Sequence, residues 1–98
     1  MNMQSLMMQA KKMQKDIEKS QKELESKEYV GKSQLVTATV TGSNRVLSVK
    51  IDMDELSLDD KEMLEDMIVL AVNDAITQVE KDKEDKFGKY GQMFNGLM

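Results

Sequence analysis

Residues 59–75, DDKEMLEDMIVLAVNDA, constrain this chain more than any other stretch. Asp59 is a candidate helix cap, and Glu62 three residues on completes the pattern of a capping box. Leu58 and Met63 stand where a hydrophobic staple would close over that cap. Beyond it come Leu64, Met67, Ile68, Leu70, Ala71, Val72, Ala75, Ile76 and Val79. At ~100° per residue these positions cover roughly two-thirds of the helix circumference, where a surface helix needs only a stripe. A helix this apolar requires cover on more than one side. A sheet on one face and a second subunit on another would supply it.

The rest of the chain is poor in large anchors. Only 4% of its 98 residues are aromatic and none is Trp, while ten Met supply flexible, polarizable volume. A single domain this short buries only about 60–65% of its unfolded surface, so association is a natural remedy. With no Cys there is no disulfide framework or thiol chemistry, and with no His the commonest metal ligand is missing. The start, MNMQSLMMQAKKMQK, lacks the order of a signal peptide, and the longest apolar run, 67–72, is too short to span a bilayer. The expectation is a soluble, intracellular protein with no membrane contact.

Along the chain, the spacing predicts a helix over 3–28. Met3, Leu6, Ala10, Met13, Ile17, Ser20 and Leu24 recur at alternating threes and fours, a narrow seam on a helix of Gln, Lys and Glu. So little apolar surface predicts a helix that protrudes, pairing with its equivalent or leaning on the second helix. Strands are expected within 29–51: a short one at 28–33, then 35–41, where Val36, Ala38 and Val40 alternate with threonines. After a turn at Gly42-Ser43-Asn44, with Gly and Asn available for positive φ, residues 45–51 return with Leu47, Val49 and Ile51 on one face. The second helix is expected over 59–86. A domain of residues 1–86 then leaves 87–98 as a tail with three Gly, both Phe and Tyr90.

The block EMLEDMIVLAVNDA, preceded by the hairpin LVTATVTGSNRVLSVKID, resembles the YbaB/EbfC family of small bacterial nucleoid-associated proteins. The likeness runs over about residues 3–83 and is most specific at 61–75. It implies an α+β protomer of order α-β-β-β-α, with a three-stranded antiparallel sheet and two long helices. It also implies an intertwined homodimer with projecting helical arms, DNA binding without catalysis, and a place in the cytoplasm, at the nucleoid. In that dimer the second helix would supply Leu64, Met67, Ile68, Ala71, Val72 and Ala75 to the interface. The family often ends in a tail containing Pro and Gly, and this chain has no Pro.

The residues offer little to catalysis. Asp52, Asp54, Glu55, Asp59 and Asp60 crowd one linker, but without the spacing or glycine of a calcium loop, and they read as a solvated linker with helix caps. No phosphate loop, nucleophile elbow or zinc spacing occurs, so neither an enzyme, a cofactor nor a small-molecule substrate is expected. Basic residues say more. Net charge is −4, so any DNA site must be a local basic patch on an acidic body. Lys11, Lys12, Lys15, Lys19 and Lys22 lie in the first helix, the last four of them on one face, and no acidic side chain precedes Asp16. With Arg45 at the hairpin mouth they are the candidate DNA contacts, suited to phosphates more than to base edges. The competing reading of that mixed-charge helix is a solvated face. Tyr90, Phe87 and Phe94 are candidates for stacking on bases or for packing of the tail. Two functions stay open. One is a homodimer that binds duplex DNA and bends, coats or compacts it. The other is an acidic dimeric adapter for a replication or recombination protein, since the family is commonly encoded beside such genes.

Overall fold

The computed structural model describes residues 2–96, with side chains described as far as residue 88. Its order is α1 (Met3–Ser26), β1 (Glu28–Ser33), β2 (Val36–Thr41), β3 (Val46–Ile51), a short 3-10 turn (Leu58–Asp60) and α2 (Lys61–Gly96). This is the expected α-β-β-β-α arrangement. The sheet is antiparallel throughout, with β2 in the centre.

The core follows from alternation on β2. Val36, Ala38 and Val40 are buried beneath α2, while Thr37, Thr39 and Thr41 take the other face. From β1, Tyr29 joins Val40, Leu24, Ala75 and Val79 in one cluster. Leu64, Met67 and Ala71 pack on Val36 and Ala38 in a second cluster nearer the start of α2. The two layers touch backbone to backbone. A Cβ built on Gly31 would lie 2.1 Å from the Ala71 carbonyl oxygen and 2.4 Å from the Ala75 nitrogen. Small residues at 31, 71 and 75 therefore set how close α2 lies to the sheet.

Four local expectations are corrected. The cap lies two residues earlier than Asp59 and belongs to the 3-10 turn that leads into α2: the Ser57 N–H donates to the Asp60 carboxylate at 3.3 Å. Leu58 is 92% exposed, so it does not close over the cap as a staple. A bulge between Thr39 and Val40 puts Val46, not Leu47, opposite Val40, while Val49 and Ile51 sit opposite Ala38 and Val36. Finally, α2 runs to Gly96, not to about residue 86. Glycines there weaken a helix but do not stop it, and there is no Pro to break the ladder.

In the Gly42–Asn44 turn the two residues divide the work. Asn44 takes the positive φ, 63°. Gly42 has no positive φ; its value is its size, because a Cβ there would lie 1.8 Å from the Leu24 carbonyl oxygen. The turn thus forms the socket for the last turn of α1. The whole chain measures 71 × 23 × 13 Å with a radius of gyration of 19.8 Å. A compact chain of this length would have about 13 Å. The excess comes from the helices that extend beyond the sheet.

Candidate nucleic-acid interface

α1 starts at Asn2, whose side chain accepts the Gln4 N–H at 3.1 Å. It then projects from the body. Leu24, 1% exposed, is its one buried residue; Ile17 and Ser20 are half-covered, and everything before Ile17 is exposed. Only the C-terminal end of the predicted seam is therefore used within the chain.

That leaves the helix surface free for charge. At ~100° per residue, Lys11, Lys12, Lys15, Lys19 and Lys22 fall within an arc of roughly 100°, facing away from the Leu6–Ala10–Met13–Ile17 stripe. Asp16, Glu18 and Glu23 flank this arc and do not enter it. All five lysines are exposed. Among the described residues the ion pairs are Lys27–Asp82 and Lys86–Asp82, so none of the five is matched to a carboxylate. From Lys11 to Lys22 the row spans about 16 Å, the length of several phosphate steps at ~3.4 Å per strand. Arg45, also exposed, stands on the hairpin and not on α1, its backbone closing the turn by N–H to Thr41 Oγ1 at 3.3 Å.

At the base of the arm, sequence reasoning missed a polar cluster. The Tyr29 hydroxyl donates to Asp82 on α2, and Asp82 also pairs with Lys27 at 3.3 Å and Lys86 at 3.5 Å. Lys27 Nζ lies 5.2 Å from the centroid of the Tyr29 ring. Burial, aided by the hydrogen bond to Asp82 and its charge, pushes the Tyr29 hydroxyl up to about 12. The Tyr29 hydrogen bond, with help from Lys27 and Lys86, holds the Asp82 carboxyl below its ordinary value despite burial. Lys27 and Tyr29 are more than fifty residues from Asp82, so no sequence signal announces them, whereas Lys86 stands four residues on along the same helix.

The six expected interface residues divide. Leu64, Met67, Ala71 and Ala75 are buried against the chain's own sheet, Ala71 and Ala75 at the close approach to Gly31 and Leu64 and Met67 in the cluster of Val36 and Ala38. Ile68 and Val72 are half-buried and, like Ile51, pack against the Val36–Ala71 cluster. Besides the exposed Met and Leu side chains of α1, the open apolar surface includes Val46, Leu47 and Val49 on β3, 51%, 53% and 40% exposed, and Val69 and Leu70 on α2, 57% and 59% exposed. Phe87, a candidate for stacking on bases or for packing, packs on the Leu24–Val79 cluster of its own chain. The side chains of Tyr90 and Phe94 lie outside the described residues. The acidic linker brings no metal-binding group of three side chains together among the described residues, and no described helix is long and apolar enough to cross a membrane.

Known proteins share the fold and the sequence pattern. A solved structure of an uncharacterized protein from Helicobacter pylori superposes with a TM-score of 0.68 at 24% identity, covering 100% of this chain and 99% of that one. A nucleoid-associated protein of Enterococcus faecalis is 44% identical over 98% of this chain and 94% of its own length. One from Lactococcus lactis subsp. cremoris is 46% identical over 92% of this chain and 93% of its own. The sequence model of the YbaB/EbfC DNA-binding family matches residues 1–94. With its order of elements, its two helices and near-complete coverage by these relatives, the chain belongs to the YbaB/EbfC DNA-binding family.

Proposed function

We propose that this protein binds duplex DNA as a homodimer, through phosphate contacts from the lysine rows of two α1 arms, and so bends, coats or compacts it at the nucleoid in the cytoplasm. It carries out no reaction. The observation that carries this reading is the row itself: five exposed lysines on a projecting helix, with no carboxylate paired to any of them. Lysines neutralised by neighbouring acids would instead favour the adapter reading.

Dimerisation is supported by the uncovered apolar surface. The row Val46, Val49 and Ile51 continues the buried face of β2, but α2 packs over β1 and β2 and leaves this row open. Ile68, Val69 and Val72 of α2 lie along the same side, giving a patch that a second copy can cover. Two arms then double the basic row on an otherwise acidic body. Lysine offers a point charge without the bidentate geometry that reads guanine, so binding is weakly sequence-selective and steeply salt-dependent.

The test is an anisotropy titration with duplex DNA at low and moderate salt, with and without replacement of Lys11, Lys12, Lys15, Lys19 and Lys22 by Gln. The replaced chain should lose binding and gel retardation while its oligomeric state and melting temperature hold. The slope of log K against log salt should flatten by about 0.9 for each phosphate that the lysines no longer neutralise. Retardation that survives the replacement would sink the arm reading. Absence of binding by the unmodified protein at low salt would sink DNA binding altogether and leave the adapter.

A further inference from the structure

The joint of the arm has its own polar lock. Three features hold α1 to the body. Leu24 is wedged into the core beside Tyr29, Val40 and Val79. The Lys27 carbonyl accepts the Gly42 N–H at 3.1 Å, while the Lys27 N–H closes on the Glu23 and Leu24 carbonyls at 3.1 and 3.2 Å. The third feature is the Lys27 ammonium, held by Asp82, whose carboxylate also takes Tyr29 and Lys86. The first two pin a point. Neither prevents rotation about that point, and beside the joint an open cleft of about 590 Å³ separates Gln21 and Glu25 of α1 from Lys83 and Phe87 of α2. Phe87 packs on the Leu24 cluster at the edge of that cleft, and the polar contacts of Lys27 add to the orientation that this packing gives.

We propose that Asp82 is a positioning residue: it gathers Lys27, Tyr29 and Lys86 into a lock that sets the angle of α1 to the body and, through that angle, the register of the lysine row on DNA. The second half of this rests on the DNA-binding reading above; the first half does not. Leverage explains why a side chain so far from the lysines matters. Over an arm of ~36 Å, a tilt of about 10° at the joint moves the tip by about 6 Å. That is close to two phosphate steps on a DNA strand, at ~3.4 Å each. A loose arm also has to be ordered on binding, which lowers affinity while every lysine still reaches its phosphate.

The chain has no Cys, so labels can be placed cleanly. Spin labels at Gln9→Cys on the arm and Ser48→Cys on β3, in doubly labelled chains diluted into unlabelled protein, report the arm–body distance by pulsed electron paramagnetic resonance. We expect one narrow distribution in the unmodified protein. Asp82→Ala should broaden or shift it, and Asp82→Glu should restore it. On DNA, Asp82→Ala should bind roughly fivefold more weakly with an unchanged salt slope, since every lysine of the row remains. If Asp82→Ala does not fold, the pair Lys27→Gln and Lys86→Gln, both on exposed side chains, breaks the same lock and is read the same way. An unchanged distance distribution in a folded variant overturns the lock. A shifted distribution with undiminished DNA affinity overturns its role in positioning. Loss of DNA binding in the unmodified protein would count against the proposed function, while the distance measurement, made without DNA, would still judge the lock.

Discussion

The two helices of this chain meet the sheet in opposite ways. α2 lies along β1 and β2 with Ala71, Ala75 and Val79 fully buried, and its Asp74 and Gln78 reach the outer edge of β1, bonding the Lys32 N–H at 3.1 Å and the Val30 carbonyl at 2.8 Å. Those two bonds also occupy groups that an edge strand would otherwise offer to another strand. α1 touches the body only through its last turn. A helix laid on a sheet gives up half its circumference to packing. A helix held by one end keeps most of its surface, which leaves room on α1 for a lysine row uninterrupted by carboxylates, whereas the exposed face of α2 mixes both signs. Architecture and candidate function are thus separated onto different helices.

The contrast can be broken first at Gly31. A Cβ there collides with α2 backbone on two sides, so Gly31→Ala should destabilise the chain by about 3 kcal/mol or more and loosen α2 as a whole. A denaturant midpoint near that of the unmodified protein would show that the close approach is dispensable. Next in size is Leu24→Ala, which should cost about 3 kcal/mol locally. Hydrogen exchange should then show α1 losing protection while α2 and β2 keep theirs. Loss spread evenly over both helices would mean that the arm is not a separate unit.

A smaller effect lies in alkali. Because the folded Tyr29 hydroxyl is raised from 10.0 to about 12, its contribution to stability is complete below pH 10 and is lost as pH rises from there through about 12. Asp82 works in the opposite direction: lowered when folded, it contributes above the ordinary carboxylate range and loses that contribution as pH falls through its folded value. Melting curves of Tyr29→Phe should therefore fall less steeply than the parent's between pH 10 and 12. Parallel curves would remove Tyr29 from the lock. The smallest expected change is at Gly88, where a Cβ meets nothing nearer than Glu84 Cγ at 3.8 Å. Gly88→Ala should stabilise the chain by up to about 1 kcal/mol, a gain opposite in sign to the loss at Gly31.

The alternation of Val36, Ala38 and Val40, the apolar breadth of 59–79 and the sparse seam of α1 all announced their elements, because periodicity is local and a helix or strand displays it wherever it lies. The lysine row was legible for the same reason. The bulge in β3 was not, since register depends on the partner strand. The Ser57 cap was missed in favour of Asp59 because both residue types cap well, and only the path of the chain shows which leads into the first turn. The roles of Gly31 and Gly42 were also hidden. Each is defined by what stands opposite it, respectively Ala71 and Leu24.

By itself, then, the sequence determined the order of elements, the family and the two faces of α1. Tertiary structure alone decided that Leu64, Met67, Ala71 and Ala75 turn to the chain's own sheet, that β3 is left uncovered, and that Lys27, Tyr29 and Asp82 meet at the foot of the arm. The physical reason is that a side chain's face follows from its neighbours along the chain, whereas its burial and its partners follow from which backbones approach closely enough to exclude everything else.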